Sequence, residues 1–251
     1  NMDLLYLSGI FAISLFSTLI SSMSGGGSSI IAIPLFAAMN ISLVLATAIQ
    51  KVSAVFWVIP AARNYLKKRK INWKFLIAFT ILGLIGVLLG VIFLVSITQQ
   101  VLKVLIGILI LTMVFYVFFK KDFGLKSEKE TPNWKKRLSY VFAPILGFYE
   151  SIFGSGNGIL FSLVGVKTRG YDLSESLGYY YAIAFAWVAV AAAILISKGF
   201  YDIPIMAAAV IGSTLGGHLG SKFARYKGNT FIKYIFCIIG LILGLKLIIG
   251  F

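Results

Sequence analysis

Ser22-Met23-Ser24-Gly25-Gly26-Gly27-Ser28-Ser29 interrupts one apolar segment, and Phe153-Gly154-Ser155-Gly156-Asn157-Gly158 interrupts another 131 positions later. An unpaired backbone group in hydrocarbon is costly, so broken helix at membrane depth survives only where protein or a water-filled cavity covers it. A helix that opens at such a break presents free N–H groups and the positive end of its dipole, which suits an anion. Matching breaks in two halves of a chain point to the binding site of a transporter built from repeats.

Composition agrees with that setting. The 251 residues are 59% hydrophobic and 12% charged, too apolar for a soluble domain with one core, so we expect a polytopic membrane protein. The net charge of +15 sits in short loops between apolar runs, where it sets orientation against anionic lipid and gives no nucleic-acid surface. Cys237 is the only cysteine and His218 the only histidine, which excludes an intrachain disulfide, a cysteine metal cluster and a multi-histidine site.

Apolar segments run over 4–22, 30–39, 42–62, 73–95, 101–119, 138–152, 159–166, 173–197, 203–221 and 229–250. Segments 30–39 and 159–166 are too short to cross as straight helices, and each follows a glycine break. We therefore read 4–39 and 138–166 as two broken hairpins. If each half contributes five elements, the halves are inverted and the loops at 63–74, 120–137, 167–172 and 222–229 share one side. That side then holds 18 Lys and Arg against Lys198 opposite, the bias that the positive-inside rule favours, with both termini outside. The expected fold is all-α with two inverted repeats of about five helical elements each. Repeat 1 covers 1–125, a cytoplasmic linker 126–137 and repeat 2 138–251, forming one transport domain overall. Gly86 and Gly90 echo Gly216 and Gly220 at an offset of 130, a spacing that lets helices pack closely.

Several residues are candidates for the site. Lys51 lies near the middle of 42–62, where a cation marks a function by default. It either neutralises a bound anion beside the Gly25–Ser28 half-helix end or pairs with Glu150 or a carbonyl. Glu150, beside the second break, is a carboxyl that must be protonated or paired there, either a proton carrier or the partner of Lys51. His218 is a second proton candidate, or an interfacial histidine beside a basic loop. Gln50, Ser24, Ser28, Ser155 and Asn157 are donors suited to oxyanion oxygens, although serine in such helices also bonds its own backbone. Gly25, Gly26, Gly27, Gly156 and Gly158 complete the two helix openings. Trp57 and Trp187 either line a cavity or pack, the Tyr179-Tyr180-Tyr181 run lines one side of the site, and Lys233 and Lys246 reach toward an interface.

The run Gly25-Gly26-Gly27-Ser28-Ser29-Ile30-Ile31-Ala32-Ile33-Pro34-Leu35 with Ala46-Thr47-Ala48, and its second-half counterpart from Gly147 to Gly158, resemble the two motif copies of the sulfite exporter TauE/SafE family. Asn157 stands where that family commonly has glycine, and no proline follows the second break at the matching distance. The resemblance covers essentially the whole chain. It implies a secondary transporter of small sulfur-containing anions such as sulfite or sulfonates in a prokaryotic cytoplasmic membrane.

The expected mechanism is alternating access with the anion at midplane between the half-helix N-termini, and the rival is an anion channel that uses the same ends as a filter. The expected partners are the small anion, protons as a candidate co-substrate, and membrane lipid. No cofactor, metal or enzymatic activity is expected, because the sequence offers no metal-ligand cluster, no nucleophile with a histidine partner and no phosphate-binding loop.

Overall fold

Three consecutive glycines with φ of 86°, 158° and 116°, Gly25 to Gly27, stop the first helix. The computed structural model describes residues 4–93, 99–128, 130–152 and 154–249; Phe153 of the second break lies outside them. Helix α1 (Leu4–Ser24) ends at the glycines and α2 (Ser28–Ala38) returns beside it. The Tyr6 hydroxyl donates to the Met39 carbonyl at 3.2 Å and closes this hairpin at its base. Three long helices follow: α3 (Leu43–Leu66), α4 (Trp73–Phe93) and α5 (Gln99–Phe119).

The second half repeats the plan. Helices α6 (Asn133–Ser139) and α7 (Phe142–Ile152) lead to Gly154 and Gly156, both with positive φ, and α8 (Asn157–Val164) turns back. A π-helical turn, Gly165–Arg169, extends α8 until Arg169 donates to the Lys136 carbonyl at 3.5 Å. Then come α9 (Leu173–Ser197), α10 (Ile203–Lys227) and α11 (Asn229–Ile249). Among the described residues, six helices (α1, α3, α4, α9, α10 and α11) are long and apolar enough to cross a membrane. The chain is an all-α polytopic membrane protein built around two broken hairpins.

Some boundaries differ from the sequence reading. Helices α3 and α10 continue beyond their apolar segments to Leu66 and Lys227, because helix carrying Arg63 or Arg225 can protrude into water. The expected segment 138–152 is divided into α6 and α7, and α6 occupies part of the stretch read as linker.

Glycines set how the halves interlock. Gly212, Gly216 and Gly220 of α10 lie against the backbone of Phe11, Leu15 and Leu19, so α10 runs parallel to α1. Gly86 and Gly90 of α4 meet Pro144 and Phe148 of α7 in the same parallel sense, and Gly147 of α7 lies against the Gly83 backbone. A Cβ on Gly86, Gly90, Gly147, Gly212, Gly216 or Gly220 would meet backbone of the neighbouring helix, which is how small residues let helices approach. Helix α3 lies antiparallel to α9, with Trp57 on Tyr181 and Leu66 on Gly178. Helix α5 lies antiparallel to α11 through Val114 on Gly240 and Leu111 on Gly244. Exchanging α1 with α7, α3 with α9, α4 with α10 and α5 with α11 maps these contacts onto one another.

The basic loops gather at one end. Arg69 pairs with Asp172 at 2.7 Å and Glu175 at 3.2 Å, and Arg225 donates to the Lys67 carbonyl at 3.1 Å. Lys233 donates to the carbonyls of Lys120 and Lys121 at the C-terminal end of α5, and Lys246 to that of Ile30 at 3.3 Å. Lys233 thus reaches the loop at the basic end, whereas Lys246 serves a backbone acceptor of α2.

Candidate functional site

The two glycine breaks meet each other. A Cβ on Gly26 would run into the backbone nitrogen of Gly156, and one on Gly158 into the carbonyl of Gly25. Only glycine permits this approach, and it brings the openings of α2 and α8 together between α3 and α9. Ser29 and Ser155 add a hydroxyl–hydroxyl hydrogen bond across the junction.

Beside this junction lies a cavity of about 100 Å³. Gly26, Gly27, Ser28 and Ser29 form its wall on the first break, and Thr47, Gln50, Lys51 and Trp57 its wall on α3. Glu150, Gly154 and Tyr180 close the opposite side. Farther toward the basic end, the Tyr65 hydroxyl donates to the Ser22 carbonyl at 2.8 Å and the Tyr181 hydroxyl to that of Ser21 at 3.0 Å. The cavity reaches Thr47 near the start of α3, away from that end.

A charge network crosses the site. Lys51 Nζ donates to the Glu150 carbonyl at 2.5 Å and lies 3.4 Å from its Oε1. Glu150 Oε2 accepts from Asn157 Nδ2 at 2.7 Å and from the Tyr180 hydroxyl at 2.9 Å. Lys51 is 8% exposed and Glu150 4%, burial that an unpaired ion would not tolerate. The pair joins the two halves across 99 positions of sequence.

Donors outnumber acceptors on the α3 wall. Gln50 Nε2 and Trp57 Nε1 are buried and have no hydrogen-bond partner among the described residues. A buried unpaired donor costs about 1–3 kcal/mol, and an indole N–H can only donate. Helix α2 also opens at the cavity with no side-chain cap over its first turn. Uncapped helix, indole, amide and ammonium together make a small chamber suited to an anion.

The structure brings only part of the expected set to this chamber. Gly26, Gly27, Ser28, Gln50, Lys51 and Glu150 line it. Ser24 turns its hydroxyl to the Gly26 carbonyl at 2.9 Å, and Gly25 and Gly158 are occupied in the tip-to-tip contact. Ser155 and Asn157 bond within the protein, and Gly156 abuts Gly26, so the α8 opening stands behind the chamber wall. His218 lies elsewhere, in a groove between α3 and α10, with its carbonyl accepting from Asn64 Nδ2 at 3.0 Å.

Trp57 and Tyr180 line the chamber, Trp57 on the cavity-lining side of its two alternatives and Tyr180 alone of the tyrosine run, while Thr47 and Ser29 join the lining without having been singled out. Trp187 instead donates to the Thr80 carbonyl at 3.0 Å. The tyrosine run has a division of labour: Tyr179 accepts from Asn72 N–H, Tyr180 serves Glu150, and Tyr181 holds the end of α1. Neighbouring helical positions are splayed around the axis, so three consecutive tyrosines reach three different partners.

Comparison with known proteins adds an independent line. The family model described as Sulfite exporter TauE/SafE matches residues 10–247. A "Probable membrane transporter protein" of Haemophilus influenzae is 27% identical over 253 residues, covering 99% of this chain and 96% of the relative. "Probable membrane transporter protein ORF9" of Sinorhizobium sp is 24% identical, covering 96% and 92%. "Probable membrane transporter protein YfcA" of Escherichia coli K12 is 22% identical, covering 97% and 90%. No solved structure matches the chain at a significant level.

Proposed function

The chain belongs to the sulfite exporter TauE/SafE family and is a membrane transporter, and from that premise we propose that it carries a small sulfur-containing anion, sulfite, a sulfonate or a related organosulfur acid, by alternating access. The observation that carries the reading is the buried, unpartnered indole N–H of Trp57 on the wall of a chamber that also holds Gln50, Lys51 and the α2 opening. A chamber of about 100 Å³ suits one small ion, since a water molecule takes ~30 Å³ of the liquid.

Lys51 is shared in this mechanism. With Glu150 ionised, the ammonium is neutralised by it; with Glu150 protonated, the ammonium is released to the anion. Proton uptake and anion binding are thereby linked through one residue. An inside-negative membrane favours anion exit by about 2.3 kcal/mol per charge per 100 mV, so export of a monovalent anion needs no coupling and uptake does. The antiparallel pairing of α3 with α9 and of α5 with α11 supports inverted repeats, of which one rocks against the other around the chamber. On the positive-inside rule, the basic end faces the cytoplasm of a prokaryotic cell and both termini lie outside.

The test is thermal stabilisation of the purified chain by sulfite, sulfate, thiosulfate, taurine, sulfoacetate, carboxylates and phosphate, repeated with Trp57→Phe. A ligand that binds only the folded state raises the unfolding midpoint. Selective stabilisation by a sulfur oxyanion that weakens in the variant is the expected result. Equal effects of all anions, or none, would overturn the reading, and saturable counterflow in proteoliposomes separates a carrier from a channel.

A further inference from the structure

We propose that the groove between α3 and α10 at the basic end binds an anionic phospholipid, with its phosphate among Arg63, Lys67, Lys222 and Arg225. The groove encloses about 790 Å³, far more than the transport chamber, and these four cations line it. Among the described residues none of the four forms an ion pair, whereas Arg69 of the same basic end is held by Asp172 and Glu175. Arg225 reaches across to the Lys67 carbonyl, which keeps its guanidinium over the groove.

Polarity is graded along the groove. Helices α3 and α10 run parallel here, with Trp57 against Gly217 and Asn64 against His218, so their cationic turns lie at one level. One turn farther into the membrane the wall becomes Ile59 and Pro60, with Thr214 and His218 between. Ile59 of this wall is half-exposed, so the apolar part opens outward. A lipid has this same order, phosphate at the surface and acyl chain beside exposed apolar residues. A soluble phosphate would leave the apolar half unused. Basic pockets between membrane helices on the cytoplasmic side are suited to such head groups, each cation adding about fivefold to affinity.

The experiment is native mass spectrometry of the full chain in detergent, titrated with phosphatidylglycerol and phosphatidylcholine of identical acyl chains. Phosphatidylglycerol should be retained preferentially. Arg63 and Lys222 hold no hydrogen bond or ion pair among the described residues, so Arg63→Gln with Lys222→Gln tests the site with little risk to the fold. That variant should weaken phosphatidylglycerol by about 25-fold, two charges at fivefold each, and leave phosphatidylcholine unchanged. Arg63→Lys with Lys222→Arg should keep the preference, as should Lys121→Gln with Lys126→Gln at exposed positions of the same end. Equal retention of the two lipids, a neutralised variant that binds like the parent, or displacement of phosphatidylglycerol by millimolar inorganic phosphate would overturn the proposal.

Discussion

Lys51 of the first half and Glu150 of the second form a buried pair, with Nζ 3.4 Å from Oε1 and 2.5 Å from the Glu150 carbonyl oxygen. Removing one member of a buried pair leaves an uncompensated charge, at a cost of about 3–5 kcal/mol, whereas replacing both can be close to neutral. Lys51→Met and Glu150→Gln should each lower the unfolding midpoint in detergent, and the double variant should recover most of the loss. Additive losses would mean that the two side chains do not share one interaction. Transport separates the roles further. Glu150→Gln should retain counterflow yet lose any acceleration by a proton gradient.

Gln50 allows a test with an unusual sign. Among the described residues its Nε2 is buried and no protein acceptor serves it, so the amide adds little to the stability of the fold itself. Gln50→Met keeps the volume and removes that donor. Without ligand, the variant should be as stable as the parent or more so. With the anion, it should lose a hydrogen bond to a charged group, about 1.5–3 kcal/mol, or roughly 10- to 150-fold in Kd. Unfolding curves with and without the anion read both quantities. A variant that is less stable when empty and binds equally well would show the amide to be structural.

The overall fold and one wall of the chamber were legible in sequence, because Gly25-Gly26-Gly27 and Gly154-Ser155-Gly156 stand out against apolar runs. A cation at position 51 stands out for the same reason. Trp57 and the tyrosine run are visible too, but which of Trp57, Trp187, Tyr179, Tyr180 and Tyr181 lines the chamber was not legible, since an aromatic residue in a spanning helix has the same local pattern whether it packs, faces lipid or lines a cavity. Their roles depend on surroundings set by the folded chain: Glu150 beside Tyr180, and the chamber wall for Trp57. The second break was legible as a break, yet its serine is spent on Ser29 of the other hairpin and its asparagine on Leu146 and Glu150 of α7, pairings that no local pattern encodes.

Gly26 and Gly199 separate conformation from contact. Both have positive φ, but a Cβ at Gly199 meets nothing within 4 Å, whereas one at Gly26 meets the Gly156 backbone. Gly199→Ala should cost about 1 kcal/mol of backbone strain, and transport should persist. Gly26→Ala must in addition push the hairpin tips apart, adding about 1–3 kcal/mol of overpacking at the chamber wall, and transport should be lost. Purified yield, unfolding midpoint and uptake together check the contrast. An active Gly26→Ala protein of normal stability would rule out the tip-to-tip contact.

Pro34 explains why Lys246 lies where it does. Proline has no N–H, so the Ile30 carbonyl four residues earlier loses its helical partner within α2. Lys246 Nζ supplies a replacement from α11 at 3.3 Å. Lys246→Met should therefore leave a carbonyl unsatisfied beside the first turn of the half-helix, at about 1–3 kcal/mol. Pro34→Ala restores the N–H, and in that background Lys246→Met should cost far less. The four proteins of this cycle, compared by unfolding midpoint, isolate the coupling. If Lys246→Met is equally damaging with proline or alanine at position 34, the lysine stabilises the chain by another route, and the half-helix holds its shape without it.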